Sequence, residues 1–189
     1  MADDRWLIAG LGNAGPEYAG NRHNVGFMCA DELASRAGAS FRRDRSRAMA
    51  ATGQLAGVPV ILAKPMTFMN TSGRPVGALR AFYKLPASRV IVLHDELDLP
   101  FGTVRLKLGG GDNGHNGLRS VTAALGTRDF YRVRIGIGRP PGRMDPADFV
   151  LRNFSAAERK ELPGVLSRSA DAIETLLTEG LAIAQNQFH

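Results

Sequence analysis

The chain has 189 residues, a formal net charge of +6 from 24 Lys and Arg against 18 Asp and Glu, and one cysteine, Cys29. That length suits one domain with a substantial core, and 44% hydrophobic with 22% charged residues excludes a disordered or low-complexity chain. One cysteine excludes an internal disulfide and any multi-cysteine zinc or iron–sulfur site, and no apolar run is long enough to span a bilayer. The opening MADDRWLIAG is acidic and runs straight into a strand-like segment, so no signal or transit peptide is expected and the expected address is the cytoplasm. The basic excess favours a polyanionic partner such as nucleic acid.

In chain order, residues 5–10 (RWLIAG) read as a buried strand and residues 25–36 as an amphipathic helix. Residues 42–47 (RRDRSR) read as a solvated loop or the start of a strand, 48–53 as a strand, and 58–63 (VPVILA) as a second buried strand. A helix over 72–83 takes Thr71 or Ser72 as its cap, and 90–93 (VIVL) is a third buried strand. Residues 103–108 (TVRLKL) and 132–137 (RVRIGI) alternate basic or polar with apolar residues, as a one-sided sheet surface would, with a helix over 118–125 between them. Residues 138–154 read as a surface connection. Ser155 and Glu158 form a capping box for a short helix, and a last helix over 165–179 ends at Gly180. Strands interleaved with helices predict a single α/β domain over residues 1–189, three layers (α/β/α) around a mixed, mostly parallel sheet.

Five segments carry candidate chemistry. Gly10, Gly12 and Gly15 satisfy the dinucleotide pattern G-x-G-x-x-G, but Pro16 follows where a helix must open on the pyrophosphate. Asp31 falls inside a predicted helix, not at the end of a second strand, so the dinucleotide reading is set aside. His23, in a loop between strand and helix, has an ordinary pKa of about 6.5 that suits a general base, or it caps the next helix. In His94-Asp95-Glu96-Leu97-Asp98, Asp95 can orient His23 through a ring N–H, while Glu96 and Asp98 balance nearby arginines. His94, Asp95, Glu96, Asp98 and His115 supply enough donors for a metal, yet adjacent residues on an extended segment face opposite ways and no H-E-x-x-H helix exists. In the segment 64–73, Asn70 offers an amide to a developing oxyanion, and Met66, Phe68 and Met69 read as packing. Without a G-x-S-x-G elbow, water is the better nucleophile. The glycine-rich run at 109–117 implies a close backbone approach or a moving lid. Beside it, the rows Arg105/Lys107 and Arg132/Arg134 can form a phosphate clamp or a solvated sheet face.

Taken in order, GLGNAGPEYAGNRHNVGF, KPMTFMNTSG, HDELDLPFG, GGGDNGHNGLRS and FYRVRIGIGRP resemble the blocks of the bacterial peptidyl-tRNA hydrolase family across almost the whole length. The resemblance implies a monomeric mixed-sheet α/β/α fold and hydrolysis of the ester joining a peptide to the tRNA 3′ ribose, with no metal or organic cofactor. It implies His23 as base and Asp95 as the acid orienting it. Asn13, Asn70 and Asn116 line the cleft, Tyr18, Met69 and His115 contact substrate, and Lys107 and Arg134 bind tRNA phosphate. The segment 109–117 matches a mobile loop. Ala14, Asn21 and Asn113 depart from the family's usual proline, threonine and glycine, and Asn113 stiffens the loop relative to glycine. The alternatives are an inactive RNA-binding protein of the same fold and a metal hydrolase.

Overall fold

The structure, a computed structural model, describes residues 4–189. Seven strands form one sheet: β1 (Trp6–Gly10), β2 (Arg42–Arg43), β3 (Ala48–Leu55), β4 (Val58–Pro65), β5 (Val90–Glu96), β6 (Val104–Leu108) and β7 (Tyr131–Gly136). Their order is β2-β3-β4-β1-β5-β7-β6, with β4, β1, β5 and β7 mutually parallel and antiparallel pairing confined to the two flanks. The parallel centre follows from composition, because strands covered by helices on both faces need apolar side chains in both directions. Alternation then splits the core in two. Ile8, Leu62, Ile91 and Leu93 pack on one side; Leu7, Ala9, Ile61, Val90 and Val92 pack on the other.

Helices α1 (Val25–Ala37), α2 (Gly73–Phe82) and α3 (Asn116–Leu125) fall where periodicity places them. Neither Thr71 nor Ser72 caps α2, contrary to expectation. Both hydroxyls donate backwards, to the carbonyls of Phe68 and Met69, and the Gly73 N–H is met instead by Ser120 Oγ from α3 at 2.9 Å. The predicted surface connection contains α4 (Pro146–Val150), capped by Asp145 and burying Phe149 and Val150. The two helices expected after it are one, α5 (Ala156–Glu179). The Ser155/Glu158 box is present, and the helix runs through Pro163. An interior proline costs about 3 kcal/mol, which burial of Val165, Ala170, Ala172, Ile173 and Leu176 along the same helix offsets. A further helix, α6 (Leu181–Phe188), follows Gly180 and covers the free edge of β6. Gln185 donates to the Leu106 carbonyl at 3.0 Å and His189 Nε2 accepts the Leu106 N–H at 2.8 Å.

From β1 the chain departs to one side through β4 and returns to the other through β5, so the carboxyl ends of these three strands flank a topological switch point, where crevices form in open α/β sheets. The glycine pattern after β1 serves this packing. A Cβ on Gly10 would lie 2.1 Å from the Gly26 carbonyl, one on Gly26 2.5 Å from the Leu93 carbonyl, and one on Gly12 2.8 Å from the Phe27 ring. The glycines let α1 close on the ends of β1 and β5, and α1 opens at Val25, far from Gly15. Gly26→Ala therefore collides with strand backbone that cannot yield. We expect a loss of about 3 kcal/mol or more in urea unfolding, whereas Gly164→Ala, inside α5 where a methyl meets nothing, should gain about 0.5–1 kcal/mol.

Candidate active site

Three loops at the switch point are locked to one another by carboxamides. Asn24 Oδ1 accepts the Asn13 N–H at 2.9 Å while Asn24 Nδ2 donates to the Asn13 carbonyl at 3.0 Å. Asn13 Oδ1 accepts the Met69 N–H at 2.6 Å, which turns its NH2 group to other use. The Arg22–Asn24 turn is fixed from behind by Arg22. Its buried guanidinium stacks 4.0 Å from the Phe149 ring centre and pairs with Glu158 at 2.9 Å. His23 is thereby presented from a clamped turn.

Asp95 is the hub. Pairing with β7 extends β5 past the expected Leu93 and carries Asp95 into the interior, 4% exposed. Its Oδ2 meets His23 Nδ1 at 2.7 Å and its Oδ1 meets His115 Nε2 at 2.7 Å. His115 is also the cap of α3, with Nδ1 accepting from Gly117 N and Leu118 N at 3.1 and 3.2 Å. An Nδ1 that accepts carries no proton, so Nε2 holds the proton and donates it to Asp95. Burial alone would raise the Asp95 pKa, but the two imidazoles hold its carboxyl well below the usual carboxylate range. An ionised Asp95 fixes the proton of His23 on Nδ1 and leaves the Nε2 lone pair open. Burial opposes a charge on His23, yet the charge and hydrogen bond of Asp95 outweigh it and raise the His23 pKa above 6.5.

The surrounding cavity holds about 400 Å³ and is lined by Asn13, His23, Met69, Asn70, Asp95, His115 and Asn116, with Phe68 and α4 residues at its walls. Asn70 and Asn116 make no side-chain hydrogen bonds to protein among the described residues, so their amides are available to a ligand. The structure brings together every expected cleft residue except Tyr18, which does not line the cavity. His115, expected as a substrate contact, lines the cavity and is the second partner of Asp95. Phe68 is 65% and Met66 42% exposed, so packing does not explain them, and only Met69 is buried. Three residues of α4, Pro146, Ala147 and Val150, also line the cavity. Sequence reading missed them because that segment's Gly, Pro and Arg content resembles an ordinary loop.

The expected metal donors do not converge. His94 is buried, with Nδ1 2.8 Å from the Asp95 carbonyl and a pKa lowered to about 3 by burial and by His115. Glu96 and Asp98 pair with Arg134 and Arg139. The donor atoms of His23, Asp95 and His115 do lie within 4.8 Å of one another. Both imidazole nitrogens are spent on Asp95, however, and the one on His115 is protonated, so this trio suits a hydrogen-bonded relay better than a cation.

All four basic side chains share one sheet face, because Arg105 stands opposite Arg134 and Lys107 opposite Arg132. Arg132 is fully buried and donates to the carbonyls of Gly111 and Arg128, which removes it from any clamp. Desolvation, then Arg134 and Arg132, lower the Lys107 pKa. A bound anion would relieve that crowding.

Fold and site together define an α/β/α hydrolase in which a carboxylate-held imidazole faces a cleft at the switch point. The profile of the family described as Peptidyl-tRNA hydrolase matches residues 7–189. Peptidyl-tRNA hydrolases of Frankia alni and Mycolicibacterium smegmatis are 65% and 59% identical to the chain, covering 99% and 97% of it and 95% and 96% of those proteins. A crystal structure of peptidyl-tRNA hydrolase from Acinetobacter baumannii matches with a TM-score of 0.92 at 35% identity, over 100% of this chain and 96% of that one. The chain belongs to the peptidyl-tRNA hydrolase family and is a hydrolase. The site geometry makes a direct prediction for NMR titration. His23 should titrate above 6.5, and Asp95→Asn should move its midpoint downward because the stabilising charge is gone while burial stays.

Proposed function

We propose that the chain hydrolyses the ester between the C-terminus of a peptide and the 3′ ribose of tRNA, with water as nucleophile and His23 as general base. The observation that carries this reading is the 2.7 Å contact of His23 Nδ1 with Asp95, which leaves Nε2 facing a cavity bordered by Asn13, Asn70, Asn113 and Asn116. His23 Nε2 takes a proton from water as the oxygen attacks the ester carbonyl. Asp95 stabilises the imidazolium without itself becoming protonated. The free NH2 groups of Asn13, Asn70 and Asn116 are suited to bind the peptide carbonyls and the developing oxyanion. Collapse of the tetrahedral intermediate expels the ribose oxygen, which recovers the proton from His23.

Lys107, Arg105 and the part of Arg134 not engaged by Glu96 offer the phosphate-binding surface for tRNA. The aligned His23–Asp95–His115 chain favours catalysis over an inactive RNA binder, which needs no oriented base. We assign the protein to the cytoplasm as a single-domain monomer without a resident metal. No helix among the described residues is long and apolar enough to cross a membrane.

Four measurements test this reading. An N-acetylaminoacyl-tRNA should be cleaved and its unblocked counterpart spared, with turnover unchanged by strong chelators; restoration only by added zinc or manganese would promote the metal reading. His23→Ala should lower kcat by about 10²- to 10⁴-fold, roughly 3 to 5 kcal/mol of barrier, with tRNA still bound. Wild-type turnover in that variant would remove His23 from its role. Lys107→Ala should weaken tRNA binding and reduce the slope of log K against log salt by roughly one. In the wild type, kcat/KM should rise with pH to a plateau, with its midpoint above 6.5, since only the neutral imidazole accepts a proton.

A further inference from the structure

The glycine-rich segment between β6 and α3 should be hard to hold still. Gly109, Gly110 and Gly114 take φ of 72°, 98° and 77°, and nothing packs within 4 Å of where a methyl on Gly111 or Gly114 would lie. Fixing such a segment in one conformation costs more backbone entropy than fixing other residues. Its root is tied by Arg132 to the Gly111 carbonyl and its far end by His115 to Asp95. Between them stands Asn113.

Asn113 takes φ of 50°, the left-handed region that asparagine tolerates best after glycine. The position thus keeps a glycine-like backbone and gains an arm. That arm reaches the far lip of the cleft, where Nδ2 donates to Glu96 Oε2 at 3.0 Å and to Asp98 Oδ2. Each acceptor has its other oxygen on an arginine, Glu96 on Arg134 and Asp98 on Arg139, so both carboxylates are fixed before the carboxamide arrives. The Asp98 pKa lies below its ordinary value, first through Asn113 and then through Arg139. Asn113 and Gly114 line the same cavity as His23, so the bond joins two walls of one cleft.

We propose that Asn113 is a positioning residue, a latch that holds the loop closed against Glu96 and Asp98 so that His115 and Asn116 stand in their working places when the ester arrives. The closed form binds substrate, and apparent affinity scales with its population. Releasing the latch so that roughly 10–30% of molecules stay closed raises KM about three- to tenfold. Once substrate has closed the loop the reacting groups are the same, so kcat stays within about twofold. The kinetic half of this proposal rests on the ester-hydrolase reading; the structural half does not.

The test is a double-mutant cycle read first by millisecond hydrogen exchange on the free protein. Asn113→Gly should lose protection over residues 110–115 and leave the sheet unchanged. Glycine loosens a loop by itself, so Asp98→Ala, on the opposite lip, must loosen the same residues, and the double variant must be no looser than Asn113→Gly alone. Unchanged exchange in Asp98→Ala, or additive effects, overturns the latch whether or not the protein cleaves tRNA esters. With N-acetylaminoacyl-tRNA as probe, a raised KM at near-constant kcat supports the assignment. A fall in kcat at constant KM overturns it, since the residue would then act on the chemical step.

Discussion

A carboxylate sealed between two imidazoles is the constraint on which this molecule turns. Asp95 is taken almost wholly out of water, a cost of several kcal/mol for an uncompensated ion, and each of its oxygens is met by a ring N–H at 2.7 Å. The compensation comes from distant parts of the chain. One imidazole rides the turn that opens α1, the other is the cap of α3, and Asp95 itself is carried in by the extended end of β5. The arrangement defines protons as well as positions. Because α3 uses the Nδ1 lone pair of His115, the only proton of that neutral ring is on Nε2 and goes to Asp95. A helix cap thus sets the tautomer of a residue in the site.

The rest of the fold brings these parts to one place and keeps them there. Glycines at positions 10, 12 and 26 let helix and strand ends approach closer than any side chain would permit. The Asn13–Asn24 pair and the Asn13–Met69 bond then stitch the three loops at the switch point. Arg22, buried against Phe149 and tied to Glu158, connects the His23 turn to α4 and α5, so the carboxy-terminal third of the chain supports a residue near its start. Acidic residues at the β5 exit divide their oxygens between arginines and Asn113. Positive charge is thereby restrained near the cleft and left unpaired along β6.

Much of this was legible beforehand. Buried parallel strands show as short apolar runs whatever their neighbours, and the pairing of a loop histidine with Asp95 follows from residue type and position at strand ends. What escaped has definite causes. The stretch around Pro163 reads as two helices because local patterning cannot register the burial that carries α5 through the proline. Ser72 reads as a cap because nothing local reveals that Ser120, from another helix, meets the Gly73 N–H. The stretch holding α4 reads as a surface connection because Gly, Pro and Arg dominate it, although Phe149 and Val150 are buried and Val150 borders the cavity. The Arg132 row reads as a clamp because alternation gives its face but not the loop carbonyls that consume its donors.

The amino-acid sequence alone determined the class of fold and the identity of the titratable groups, since each rests on side-chain type and short-range periodicity. Tertiary structure alone decided which nitrogen of each histidine carries a proton, which cations are already spent, and that His115 serves both a helix and a carboxylate. Those outcomes combine short-range bonds, such as the α3 cap on His115, with hydrogen bonds between residues 20 to more than 130 positions apart. A group's protonation and availability are set by the partner that faces it, and partners so distant along the chain become neighbours only once the sheet has closed.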